Sequence, residues 1–168
     1  EIAGKLFGLY FFDVSDMVYE SPSNAKLLED NDQPAFFKNL CLNFQFPNGS
    51  QKINTVLERI NDGICFKPFH FIISLLILAK QNNISLTKDE VGYYVLNAKQ
   101  VLQGKISVAQ VFAQIIQDRQ LQIVKKVIKD SNHWQHIKEQ FNLLQLANLV
   151  VQDDEVLLLN HKEQKLIL

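Results

Sequence analysis

Leu6, Gly8, Leu9 and Asp13 match Leu146, Asn148, Leu149 and Asp153 at an offset of 140, and after a one-residue gap Ser21, Lys26, Leu27 and Leu28 match Asn160, Lys165, Leu166 and Ile167 at 139. Each copy reads as a helix end closed by a residue that tolerates left-handed backbone, Gly8 or Asn148, followed by a small hairpin with a polar tip. In the first copy Leu6, Phe7, Leu9 and Phe11-Phe12 lead through Asp13-Val14-Ser15-Asp16 to Met17-Val18-Tyr19. In the second, Leu149-Val150-Val151 and Val156 to Leu159 flank a turn at Gln152-Asp153-Asp154-Glu155. A helix running into a hairpin at both ends predicts a mainly α fold with small β-hairpin wings, a winged helix-turn-helix. Residues 1–30 are then the wing and short helix that finish a first unit, 31–65 a linker or connecting segment, and 66–168 a nearly complete second unit. The chain reads as a fragment of something larger.

The helical signals lie between the two hairpins. Ser21-Pro22-Ser23-Asn24 caps a short helix at Ala25 to Glu29, and Asp30 to Pro34 reads as a loop. The apolar stretch from Pro34 to Pro47 favours neither helix nor strand, and Asn48-Gly49-Ser50 is a turn signal. Pro68 starts a helix through Phe69, Ile72-Ile73, Leu76-Ile77 and Lys80, apolar enough to be the buried centre. Ile84-Ser85-Leu86 is extended, and Thr87 with Glu90 forms a capping box for a helix carrying Val91, Tyr94 and Val95. Ser107 opens another helix, with Val108, Val111-Phe112 and Ile115-Ile116 on one face, continuing or restarting through Ile123-Val124 and Val127-Ile128. After a break at Asp130-Ser131-Asn132, a helix from about His133 to Asn148 buries Trp134, Ile137, Phe141 and Leu144.

Composition removes several function classes. Hydrophobic residues make up 47% and charged residues 21%, which excludes a wholly disordered chain, and no apolar run approaches the ~18 residues of a membrane span. Cys41 and Cys65 are the only cysteines, too few for a disulfide scaffold, so a reducing, cytoplasmic setting is expected. With 17 basic and 18 acidic side chains the net charge is -1, so coating nucleic acid by bulk charge is excluded and any such site is a local patch.

Such a patch exists. Arg119, Lys125, Lys126, Lys129 and Lys138 stand against Asp130 alone, a plausible phosphate footprint, with His133 and His136 adding pH-dependent charge. In the next helix the apolar face leaves Asn132, Gln135, His136, Glu139 and Asn142 on the opposite side. Amides and carboxylates read adenine and cytosine edges in a major groove, and a recognition helix belongs immediately before a wing. The expected site is therefore Arg119, Lys125, Lys126, Lys129, His133, Gln135, His136, Lys138, Glu139 and Asn142. The competing reading is an ordinary solvated helix with lysines for solubility, and the acidic wing tip counts against phosphate contact there.

Catalytic patterns are weak. Asp154 followed by Glu163-Gln164-Lys165 formally fits a metal-dependent nuclease arrangement, but it falls on the second wing and its flanking core is missing. His133 and His136 lack partners at ligand spacing, so no metal site is expected. No glycine-rich phosphate loop is present.

Phe44-Gln45-Phe46-Pro47, Ile64-Cys65-Phe66-Lys67-Pro68-Phe69 and Leu86-Thr87-Lys88-Asp89-Glu90-Val91-Gly92-Tyr93-Tyr94 resemble, in order and spacing, the recognition region of AlwI-like Type II restriction endonucleases. The resemblance spans roughly residues 4–118. It implies recognition of double-stranded DNA by this segment without a cofactor, with a separate Mg²⁺-dependent nuclease domain in the remainder of the parent polypeptide. The alternative is a winged-helix protein-interaction module within a larger complex. An intact small hydrolase is disfavoured.

Overall fold

The computed structural model describes residues 10–12, 17–20, 22–48, 51–129 and 132–160. Strands β1 (Tyr10–Phe12) and β2 (Val18–Glu20) pair antiparallel with Tyr10 opposite Glu20. The predicted first hairpin is therefore present, whereas its tip at 13–16 and the Gly8 cap lie outside the described residues. Helices α1 (Pro22–Glu29), α2 (Gln33–Asn43), α3 (Ile53–Asn61) and α4 (Pro68–Gln81) follow. Strand β3 (Leu86–Thr87) leads into α5 (Lys88–Val91), which widens into a π-turn at Gly92–Leu96. Helices α6 (Lys99–Leu102), α7 (Val108–Gln120) and α8 (Asn132–Leu146) precede the hairpin of β4 (Val150–Asp153) and β5 (Val156–Leu159). The described fold is mainly helical, with a small antiparallel sheet in the order β3-β5-β4.

As its composition predicts, α4 is the centre: Phe69, Ile72, Leu75, Leu76 and Ala79 are all buried, facing α7, α2, the π-turn and β5. The stretch left undecided by its sequence is helix α2. It contains no β-branched residue, so no branched side chain opposes helix. Asp32 Oδ1 accepts from the Ala35 N–H at 3.1 Å, and Pro34 sits in the first turn. Gln33 and Pro34 thus belong to the helix, which shortens the expected loop. Phe36, Leu40 and Cys41 are buried, with Leu40 and Cys41 in the same core as α4 and α8. Phe46 and Phe66 exchange backbone hydrogen bonds of 2.7 and 2.9 Å, joining two of the motifs singled out above.

The predicted capping box of Thr87 with Glu90 is formed, and Ser107, expected only to open its helix, forms a second one with Gln110. The predicted left-handed cap at Asn148 is also present, at φ 60°. There the Leu149 and Asn148 N–H groups return to the carbonyls of Leu144 and Gln145 at 3.0 and 2.9 Å, a Schellman closure.

The same closure corrects one expectation. Helix α7 does not continue through Ile123 to Ile128: Gln122 turns left-handed at φ 58°, and the Ile123 N–H closes on Asp118 O at 2.8 Å. Residues 123–128 then run without regular structure. The β-branched pairs there have little to gain from helix, and Val127 alone is buried while Ile123, Val124 and Ile128 are exposed. Gly92 makes the inward turn of Val127 possible. A Cβ on Gly92 would meet Val127 Cγ2 at 3.2 Å and Ile137 Cδ1 at 3.3 Å. The second hairpin differs in detail from its prediction: Gln152 and Asp153 belong to β4, so the turn is Asp154-Glu155, with Asp154 at φ 49°.

Candidate nucleic-acid interface

Four of the predicted basic side chains share one groove. It has a volume of about 570 Å³ and is lined by the start of α5, the end of α7, residues 122–126, Lys129 and Glu155 of the hairpin turn. The Schellman end of α7 throws Lys125 and Lys126 back along this groove, and the inward Val127 fixes their height. The Val127 N–H reaches Asp89 Oδ1 at 3.4 Å, a weak anchor for the same segment.

The basic groups differ sharply in what holds them. Arg119 is fully engaged: Nε donates to Glu90 Oε1 at 2.6 Å, and Nη2 donates to Glu90 Oε2 at 2.7 Å and to Ser85 O at 2.8 Å. Lys129 Nζ lies 3.3 Å from both Asp89 Oδ2 and Glu155 Oε2, and 4.1 Å from the centre of the Trp134 ring. Lys125 sits over Tyr93 at 5.7 Å, and Lys126 is exposed. Asp118, buried at the groove wall, accepts from the Tyr94 hydroxyl at 2.5 Å and from Gln114 Nε2 at 2.8 Å.

Sequence reasoning weighed only the acidic wing tip, which holds Glu155, and missed the other acids of the groove. Asp89, Glu90, Asp118 and Glu155 line the groove beside Arg119, Lys125, Lys126 and Lys129, so the local excess of positive charge is largely answered from elsewhere in the chain. The capping box marked Glu90, but nothing in the sequence assigned its second partner. Burial raises the Glu90 pKa, and this is outweighed by the Arg119 fork and the Thr87 contacts, which hold it below its ordinary value. Asp118 is lowered chiefly by the Tyr94 hydroxyl, and Tyr94 is raised by burial and by Asp118.

A carboxylate whose folded pKa is depressed contributes stability that is complete above its unfolded pKa and is lost as pH falls through the folded one. Glu90→Gln is therefore expected to lower the melting temperature at neutral pH. Scans from pH 7 downwards should show the gap from wild type closing below the ordinary carboxylate range. A gap independent of pH would detach Glu90 ionisation from stability.

Helix α8 stands next to the groove, joined to it by Lys129 on Trp134. Trp134, Ile137, Phe141 and Leu144 are buried, as their spacing predicts. Gln135, His136, Glu139 and Asn142 are exposed, and Lys138 is half-buried. His136 Nδ1 lies 3.3 Å from Glu139 Oε2, while Asn142 Oδ1 accepts from Gln152 Nε2 of β4 at 3.0 Å. Gln152 Nε2 also donates to Gln145 Oε1 at 2.7 Å, so α8 and the hairpin are linked on their outer side. The His133 side chain and the Glu163-Gln164-Lys165 pattern lie outside the described residues. Among the described residues no group of three His, Cys, Asp or Glu side chains is gathered to hold a metal, and no helix is long and apolar enough to cross a membrane.

Comparison with known proteins adds two findings. The family model described as restriction endonuclease BpuJI, N terminal, matches residues 1–168. A crystal structure of pyrene- and phenanthrene-modified DNA in complex with the BpuJ1 endonuclease binding domain is similar to this chain, with 46% sequence identity and a TM-score of 0.89. The similarity covers 99% of this chain and 61% of that one, so the chain spans about three-fifths of the protein it resembles. No curated protein matches.

Proposed function

This chain belongs to the restriction endonuclease BpuJI N-terminal family, and we propose that it is the DNA-recognition part of a Type II restriction endonuclease, with cleavage carried out elsewhere in the parent protein. The observation that carries this reading is 46% identity, over nearly the whole chain, to a binding domain solved with DNA. The motifs that resemble AlwI-like enzymes point to the same class of enzyme, while the matched family is the BpuJI one.

Recognition is assigned to a winged helix-turn-helix within residues 66–168. The support is the element order, α4, β3, α7, α8 and then the β4–β5 hairpin, together with the sheet order β3-β5-β4. In this assignment α8 enters the major groove, Gln135, His136, Glu139 and Asn142 face base edges, and Lys125, Lys126 and Lys138 meet phosphates. His133 belongs with them by position. Arg119 and Lys129, held by carboxylates, act first as ties: Arg119 joins the end of α7 to α5, and Lys129 joins the 123–129 segment to α5, the hairpin turn and the Trp134 ring of α8. Residues 1–30 are the tail of a first winged unit and 31–65 the connection. The Mg²⁺ expected of the parent is assigned to its cleavage domain, and the setting is the cytoplasm.

The competing reading is a protein-interaction module, which the neutralised groove favours. Selecting bound duplexes from a random pool separates the two. Wild type is expected to enrich one short motif, and at least one of Gln135→Ala, His136→Ala, Glu139→Ala and Asn142→Ala should lose preference at a single base pair while keeping its melting temperature. A bidentate base contact is worth roughly 1–3 kcal/mol of discrimination. Selection of no motif by the parent protein would favour the interaction module.

A further inference from the structure

Helix α3 is amphipathic, yet none of its residues is buried. Ile53, Leu57 and Ile60 recur at steps of four and three, which sets them on one face, and they are 69%, 50% and 55% exposed. Asn54, Glu58 and Arg59 occupy the other side. The helix is tied at its C-terminal end to α6 and the residue that follows it. Gln103 Nε2 donates to Asp62 O at 2.7 Å, Lys99 Nζ lies 3.7 Å from Asp62 Oδ2, and the Ile64 N–H returns to Arg59 O at 3.0 Å. The chain then enters the core at Ile64 and Phe66. A tied helix with an apolar stripe turned outward is a surface made to be covered.

Three occupants compete for it. Duplex DNA fits poorly, because the face itself is apolar and the nearest cation on the helix, Arg59, is next to Glu58. A second copy would need about 800 Å² from each partner for a stable contact, far more than three side chains on a nine-residue helix supply. A segment of the same polypeptide needs no such area, because its effective concentration is set by the chain that joins it. About two-fifths of the similar binding domain lies beyond the part that this chain covers. We propose that the Ile53, Leu57 and Ile60 face docks the remaining part of the DNA-binding domain within the parent polypeptide.

The test uses the complete parent protein with a photo-crosslinking benzophenone side chain introduced at Leu57, and separately at Glu58. Irradiation of the Leu57 form is expected to give an intramolecular crosslink to a peptide outside these 168 residues, and the Glu58 form none. A crosslink within the chain described here, a crosslink between two copies, or no crosslink at all would overturn the proposal. In the same protein Leu57→Asp is expected to lower the melting temperature and speed amide exchange over residues 53–61, while Glu58→Lys leaves both unchanged. Equal behaviour of the two variants also overturns it.

Discussion

Phe141→Ala is expected to destabilise the protein by about 3–5 kcal/mol, the usual cost of truncating a fully buried aromatic. Phe141 has no exposed surface and sits in α8 between Ile137 and Leu144, also fully enclosed, so the cavity it leaves cannot collapse toward solvent. Native stabilities are typically about 5–15 kcal/mol, so the variant should show a large drop in the midpoint of chemical unfolding. Gln135→Ala, on the opposite face of the same helix, should stay within about 0.5 kcal/mol. If the two variants unfold alike, the inward face of α8 has been assigned wrongly.

The second large effect concerns affinity for DNA. Lys125 and Lys126 are the groove cations least occupied by the protein's own carboxylates, so replacing both with Ala should weaken binding to all duplexes alike. The slope of log K against log salt should fall by about 0.9 for each phosphate that is no longer neutralised. Lys129→Ala should behave differently. Its ammonium lies between Asp89, Glu155 and the Trp134 ring, so its removal should cost stability and move the salt slope less. Measuring binding from low to moderate salt distinguishes these outcomes, and an unchanged slope in the double variant would take both lysines out of the interface.

How much of this was legible in the sequence depended on the reach of each interaction. The buried stripe of α8, the capping box at Thr87, the helix start at Ser107 and the Asn148 cap are set by residues three to five apart, and each was readable. The end of α7 was not, because a Gln at a left-handed position carries no compositional flag such as glycine would. The groove's neutrality was hidden for a different reason. Glu90 meets Arg119 and Asp89 meets Lys129 only after the chain has folded, so counting charge in a window of residues 119–138 left their partners out. Helix α3 went unread within the 31–65 segment expected to be a linker or connection, and the exposure of its apolar stripe is a property of the assembled fold.

The order of the small sheet also governs how the chain can be made. The strand translated last among those described, β5, lies between β3 and β4, pairing Leu157 with both Leu86 and Gln152. While the chain is still emerging from the ribosome, the helices that flank β3 can gather, but Leu86 has no strand beside it until Val156 to Leu159 arrive. Pairing at such long sequence separation is slow and leaves apolar edges uncovered meanwhile. A nascent chain arrested before Val156 would therefore display that open edge, and the closing hairpin acts as the latch that ends this vulnerable interval.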